Sequence, residues 1–168
     1  MRINVITGAV SVGACLVALA TIDHIGRKPL LWVGSIGMTL TLATMTAAFA
    51  GADVGPGGEL ALGEERGRAA LIAANAYVFF FNISWGPVMW VLRGEMFPNQ
   101  IRGSALAIAG LVQWLSNFVI TMTFPVLLAG IGLAGAYGFY TAGGLLSIFF
   151  VFAMVHETRG IELEDMEG

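Results

Sequence analysis

No Lys, Arg, Asp, Glu or His occurs in residues 3–22, 30–50, 69–92, 103–128 or 131–155, and each of these stretches is 20 to 26 residues long. About 20 residues at a helical rise of 1.5 Å cross a hydrocarbon core of roughly 30 Å. The chain is therefore expected to be an all-α membrane protein with five transmembrane helices at those positions. Composition agrees: 57% of the residues are apolar and 11% charged, against roughly 25% charged in an ordinary soluble domain. A soluble helical bundle would give each helix a polar face, and none of these stretches carries one wide enough. The first stretch is also longer than the roughly 7 to 15 apolar residues of a signal peptide, and no small-residue cleavage pattern follows it.

The charges between the spans set the orientation. Arg27, Lys28, Arg93, Arg102 and Arg159 fall on one side, and Arg2, Arg66 and Arg68 on the other. Basic residues concentrate on the cytoplasmic side. The connections 23–29 and 93–102 and the tail 156–168 are thus expected inside, with the Gly-rich loop 51–68 and the N-terminus outside. Several chemistries are disfavoured by the same reading. A net charge of −3 argues against a nucleic-acid partner. Cys15 stands alone in mid-span, and there is no HExxH motif and no intramembrane His or Asp, so neither an enzyme nor a metal or cofactor site is expected.

One span is interrupted. Gly86-Pro87-Val-Met-Trp90 places a helix breaker inside apolar sequence. Pro87 lacks the N–H that would serve the carbonyl of Ile83 and clashes with it, so a bend is expected at Gly86 and Pro87. Broken helices persist in hydrocarbon only where they face protein or a watered cavity. On a helical wheel Asn75, Asn82, Gly86, Trp90 and Arg93 share a sector of about 80°. Polar groups in a span face the bundle interior or a cavity. In the next span Gly110, Gln113, Asn117 and Thr121 share a similar sector of about 80°. An indole gives a flat apolar face and one N–H, and a side-chain amide gives two donors and an acceptor. That set suits a pyranose-like ligand, a saturated ring with a C–H face and many hydroxyls. The competing roles are an interfacial tryptophan for Trp90 and interhelical hydrogen bonds for Asn82, Gln113 and Asn117. The glycines at 130, 132, 135 and 138 suggest a tight turn and close helix packing.

These motifs resemble, in order and spacing, the last five of the twelve helices of the sugar porters of the major facilitator superfamily. Asp23-His-Ile-Gly-Arg27-Lys28 is similar to the connection after helix eight. Gly86-Pro87-Val-Met-Trp90 with Glu95-Met-Phe97-Pro98 and Arg102 is similar to helix ten and its end. Gln113-Trp114-Leu-Ser-Asn117 is similar to helix eleven, and Glu157-Thr-Arg-Gly160 with Leu163-Glu164 to the tail. Three positions depart from the pattern: His156 stands for the usual Pro, Ser11 for a frequent sugar-contacting Asn, and Arg93 for a small or apolar residue.

The resemblance implies most of a C-terminal six-helix bundle in the cell membrane, bacterial inner membrane by likeness to bacterial pentose and hexose porters. It implies transport of a monosaccharide by alternating access, with Trp90, Gln113, Asn82, Asn117, Trp114 and Gly86 facing the sugar. It also implies a cytoplasmic gate network of Arg27, Glu95, Arg102 and Glu157; anchoring by positive charge would explain the arginines but not Glu95. The family's first seven helices have no counterpart here. The expected partners are therefore a monosaccharide, the lipid bilayer, and either further helices or a second chain. The alternatives are a non-transporting sugar receptor on the same fold and a non-functional truncated fragment.

Overall fold

The computed structural model describes residues 2–50, 52–54 and 60–155. Its elements are α1 (Arg2–Ile25), α2 (Arg27–Ala50), β1 (Asp53–Val54), β2 (Leu60–Ala61), α3 (Glu64–Ile83), α4 (Trp85–Met96) and α5 (Arg102–Met154). The two short strands pair antiparallel, Asp53 with Ala61 and Val54 with Leu60, within the loop between α2 and α3. The remainder is a bundle of helices. The charge-free stretches 3–22 and 30–50 lie in α1 and α2, the stretch 69–92 runs across α3 and α4, and 103–128 and 131–155 both lie in α5.

Two glycines make the reversals that stack these helices. Between α1 and α2, Gly26 takes φ +98° and its N–H donates to the Ile22 carbonyl at 3.1 Å. A side chain at that φ would be strained, so a glycine lets α2 follow α1 with a single residue between them. The 53 residues of α5 would stretch about 80 Å as one rod, far more than a bilayer core. They do not run straight. Gly132 adopts φ +71°, ψ 178° inside the run, and the rings of Phe124 and Tyr140 stack with centroids 6.2 Å apart. An unbroken helix would hold those two residues about 24 Å apart; α5 is therefore two arms folded back on each other.

The central helix is α2, packed against α3 on one side and α5 on the other. Small residues permit the approach. A Cβ on Gly34 would collide with the Ser84 side chain, and one on Gly37 with the Phe80 ring. On the other face Gly144 lies under Thr39, whose Oγ1 would be 2.6 Å from an added Cβ, and the Thr46 and Thr141 hydroxyls meet at 3.2 Å. Lipid tails are as apolar as leucine, so helices in a bilayer gain most from such close fits. A cluster of Ile22, Leu30, Leu31, Val88, Leu92, Val151 and Val155 is buried where α1, α2, α4 and the second arm of α5 converge. Around this core α5 leaves large apolar side chains such as Leu111, Phe118, Val126, Leu146 and Phe149 exposed.

Candidate functional site

The α3–α4 run breaks at Ser84, which adopts φ −128°, ψ −91°. Ser84 N–H reaches only to the Phe81 carbonyl at 3.3 Å, and the ladder resumes with Val88 N–H to the Ser84 carbonyl at 2.9 Å. The irregularity lies just N-terminal to Gly86 and Pro87, beside the Ile83 carbonyl that Pro87 cannot serve. The Ser84 hydroxyl donates to the Phe80 carbonyl at 2.6 Å, satisfying one of the freed groups. Trp85, the first residue of α4, donates its Nε1–H to the Ser35 hydroxyl at 2.8 Å and is thereby fixed against α2.

Beyond the break, α4 carries Trp90 on an open face, with 51% of its surface exposed. The Arg93 guanidinium carbon sits 4.6 Å from the centroid of the Trp90 ring, within range of a cation–π attraction. The same side chain donates from Nε to the Met89 carbonyl at 3.1 Å and from Nη2 to Gln113 Oε1 on α5 at 2.6 Å. Arg93 thus joins two of the six residues singled out as sugar-facing. Its part in the cluster was signalled in the sequence, since it falls in the same helical sector as Trp90. Its contact with Gln113 depends on how α4 meets α5, which no local pattern gives.

The other candidates are placed differently. Asn82 is half-buried; its Oδ1 accepts from Cys15 Sγ–H at 3.5 Å and its Nδ2 donates to the Val78 carbonyl at 2.8 Å. One turn pair further out, Asn75 Oδ1 accepts from the Thr7 hydroxyl at 2.8 Å. The polar stripe of α3 is therefore engaged with α1 as interhelical hydrogen bonds. Gly86 packs its Cα side toward Phe81, whose carbonyl would be 3.3 Å from an added Cβ. Asn117 and Trp114 are exposed on α5, and the Asn117 amide makes no hydrogen bond among the described residues. A cavity of about 830 Å³ opens elsewhere, between α2, α3 and the two arms of α5, with Met38, Tyr77, Phe81, Trp85, Thr121 and Phe124 on its wall. None of the six sugar-facing candidates lines it.

A second polar cluster lies at the C-terminal end of α4. Arg27, the first residue of α2, grips Glu95 in a two-point contact, Nη2 to Oε1 at 2.6 Å and Nε to Oε2 at 3.2 Å. The side chains are 12% and 24% exposed. A cation at a helix N-terminus opposes the helix dipole, so the carboxylate has two reasons to be there. Arg102 does not hydrogen-bond Glu95: its Nε donates to the Phe97 carbonyl at 3.2 Å, and its Nη2 is buried with no hydrogen-bond partner among the described residues. Glu157 lies outside the described residues. Arg27 and Glu95 are brought together; Arg102, seven residues after Glu95, is turned to the backbone.

The whole chain, residues 1–168, matches the family model described as sugar (and other) transporter. The chain belongs to that family. It is 51% identical over 166 residues to the glucose transport protein of Synechocystis sp., covering 99% of this chain and 35% of that protein. With the D-xylose-proton symporter of Escherichia coli K12 it shares 37% identity over 171 residues, covering 98% of this chain and 32% of the symporter. The inward-open structure of the E. coli xylose transporter XylE superposes with a TM-score of 0.84 at 36% identity, over 99% of this chain and 35% of that one. The XylE structure bound to 6-bromo-6-deoxy-D-glucose gives 0.83 over 99% and 34%. The fold of this family member is accordingly that of a major facilitator transporter, and the chain spans about a third of the length of the curated relatives it matches.

Proposed function

We propose that this chain is the C-terminal part of a monosaccharide porter, hexose or pentose, in which α4 and the first arm of α5 supply the sugar-facing wall. One observation carries the reading: Trp90 on α4 and Gln113 on α5, an aromatic face and an amide, are joined through a single side chain on an open face of the bundle. Pyranose rings lay their C–H face on such an indole and share hydroxyls with such an amide. Trp114 and Asn117 flank that wall. Asn82 and Gly86 serve it indirectly, Asn82 by holding α3 against α1. The Arg27–Glu95 pair ties the start of α2 to the end of α4, and we take it as a cytoplasmic latch that opens in the inward-facing state. The C-terminus then lies in the cytoplasm and the bundle in a bacterial inner membrane.

Alternating access requires one helical bundle to rock against another, so transport calls for further helices opposite this wall. In proteoliposomes holding only the purified chain, no saturable uptake of labelled glucose or xylose is expected. Uptake should appear on co-reconstitution with the first seven helices of the Synechocystis glucose transport protein. Saturable uptake by the chain alone, competed by excess sugar and lost in Trp90→Ala, would show that a self-assembled oligomer suffices.

A further inference from the structure

A cation does not sit on a sugar site without consequence. Arg93 is half-buried on α4, its guanidinium bonded to two neutral oxygens, the Met89 carbonyl and Gln113 Oε1, and stacked on Trp90. Among the described residues no carboxylate lies within ion-pair distance of it; Glu95, two residues on, is gripped by Arg27. On the proposed orientation Arg93 stands at the cytoplasmic end of its span, where an ionised group normally meets a partner or water.

The guanidinium also decides what a ligand can find there. It has donors only, five of them, and no acceptor. Gln113 therefore turns its Oε1 toward Arg93, and one of that oxygen's two lone pairs is taken by a charge-assisted bond of 2.6 Å. The donors left are Gln113 Nε2–H₂, Trp90 Nε1–H and the unused N–H groups of Arg93, none of which is hydrogen-bonded among the described residues. Donors thus outnumber acceptors around the guanidinium. A neutral sugar presents hydroxyls, each of which needs an acceptor as well as a donor to be fully satisfied, and finds few here: the second lone pair of Gln113 Oε1 and the flanking Asn117 amide oxygen. A carboxylate is acceptor-only and matches the guanidinium fork at two points.

We propose that Arg93 makes this wall selective for a sugar acid, a monosaccharide whose ring lies on Trp90 and Gln113 and whose carboxylate is held by the Arg93 guanidinium. The inference rests on the reading of Trp90 and Gln113 as sugar-facing, and adds the class of sugar.

The test is equilibrium dialysis of labelled D-glucuronate, its methyl ester, D-glucose and acetate against the purified chain in phosphatidylcholine nanodiscs. Glucuronate should bind at least about tenfold more tightly than glucose, equivalent to about 1.4 kcal/mol. The methyl ester should lose that advantage, and raising the salt should narrow it. Arg93→Leu should bring glucuronate and glucose binding to within twofold of each other, whatever the level of glucose binding itself, and Arg93→Lys should retain part of the preference. Arg93→Gln, a smaller change of polarity, gives the same reading if the leucine variant does not insert, with circular dichroism checking that each variant is helical. Glucose and glucuronate binding within twofold of each other, or a preference that survives loss of Arg93, would overturn this proposal and leave the sugar site standing. Acetate binding as tightly as glucuronate would reduce the site to an anion contact and overturn it as well. Absence of saturable binding for any of the sugars would remove both this proposal and the sugar site beneath it.

Discussion

Replacing Glu95 by Gln isolates the Arg27–Glu95 pair with almost no change of shape. The side chains are mostly dry, at 12% and 24% exposure, and meet at 2.6 and 3.2 Å. Removing one partner of a buried pair costs roughly 3–5 kcal/mol. Two features lower the figure: about a quarter of Glu95 remains in water, and the glutamine oxygen keeps one hydrogen bond worth about 1 kcal/mol. We expect Glu95→Gln to destabilise the bundle by about 2–3 kcal/mol on that scale. A double-mutant cycle with Arg27→Gln should give a coupling of about 2 kcal/mol, read from denaturant unfolding in mixed micelles followed by circular dichroism. The Glu64–Arg68 pair is the control. Its side chains are 81% and 73% exposed on consecutive turns of α3, so Glu64→Gln should cost less than about 0.5 kcal/mol. In the assembled transporter, Glu95→Gln should also raise cysteine accessibility from the cytoplasmic side, because the latch is weakened. A coupling below about 0.5 kcal/mol, no larger than the exposed control, would refute the reasoning and leave Arg27 with a topological role alone.

Two further outcomes test the packing. Gly37→Val puts branched carbons into the Phe80 ring and should loosen α2 from α3 at a cost of about 1–3 kcal/mol, seen as increased proteolysis of the loop between them. Gly26→Ala places a Cβ at φ +98° and should cost about 1–2 kcal/mol, measured as a lower unfolding midpoint, whereas Gly8→Ala, where an added Cβ meets nothing, should be neutral or better.

What could be read from the sequence follows physical range. The helices were legible because a charge-free stretch of 20 residues or more has few alternatives to a membrane helix, and the break was legible because Pro87 removes one specific N–H. The reversal at Gly132 was foreshadowed by a run of glycines, though only its φ of +71° identifies which one turns. The pairing of Arg27 with Glu95 was anticipated from the family resemblance. What stayed hidden were distances between helices. Asn82 shares a wheel sector with Trp90, yet the break at Ser84 lets α3 and α4 diverge, so Asn82 meets Cys15 on α1 while Trp90 meets Arg93. Similarly, Arg102, at the start of α5, bonds the Phe97 carbonyl just past the end of α4, while the Glu95 carboxylate is held by Arg27.

The account stands or falls on whether Trp90 is a sugar platform or an interfacial anchor. Equilibrium binding of labelled glucose, xylose and glucuronate to the chain in nanodiscs, compared between the wild type and Trp90→Ala, decides it. The loss of a stacking face and one hydrogen bond predicts a binding constant weakened by about 5- to 150-fold, roughly 1 to 3 kcal/mol, for whichever of these sugars binds. Binding unchanged within twofold in Trp90→Ala would contradict the account and return Trp90 to the membrane interface.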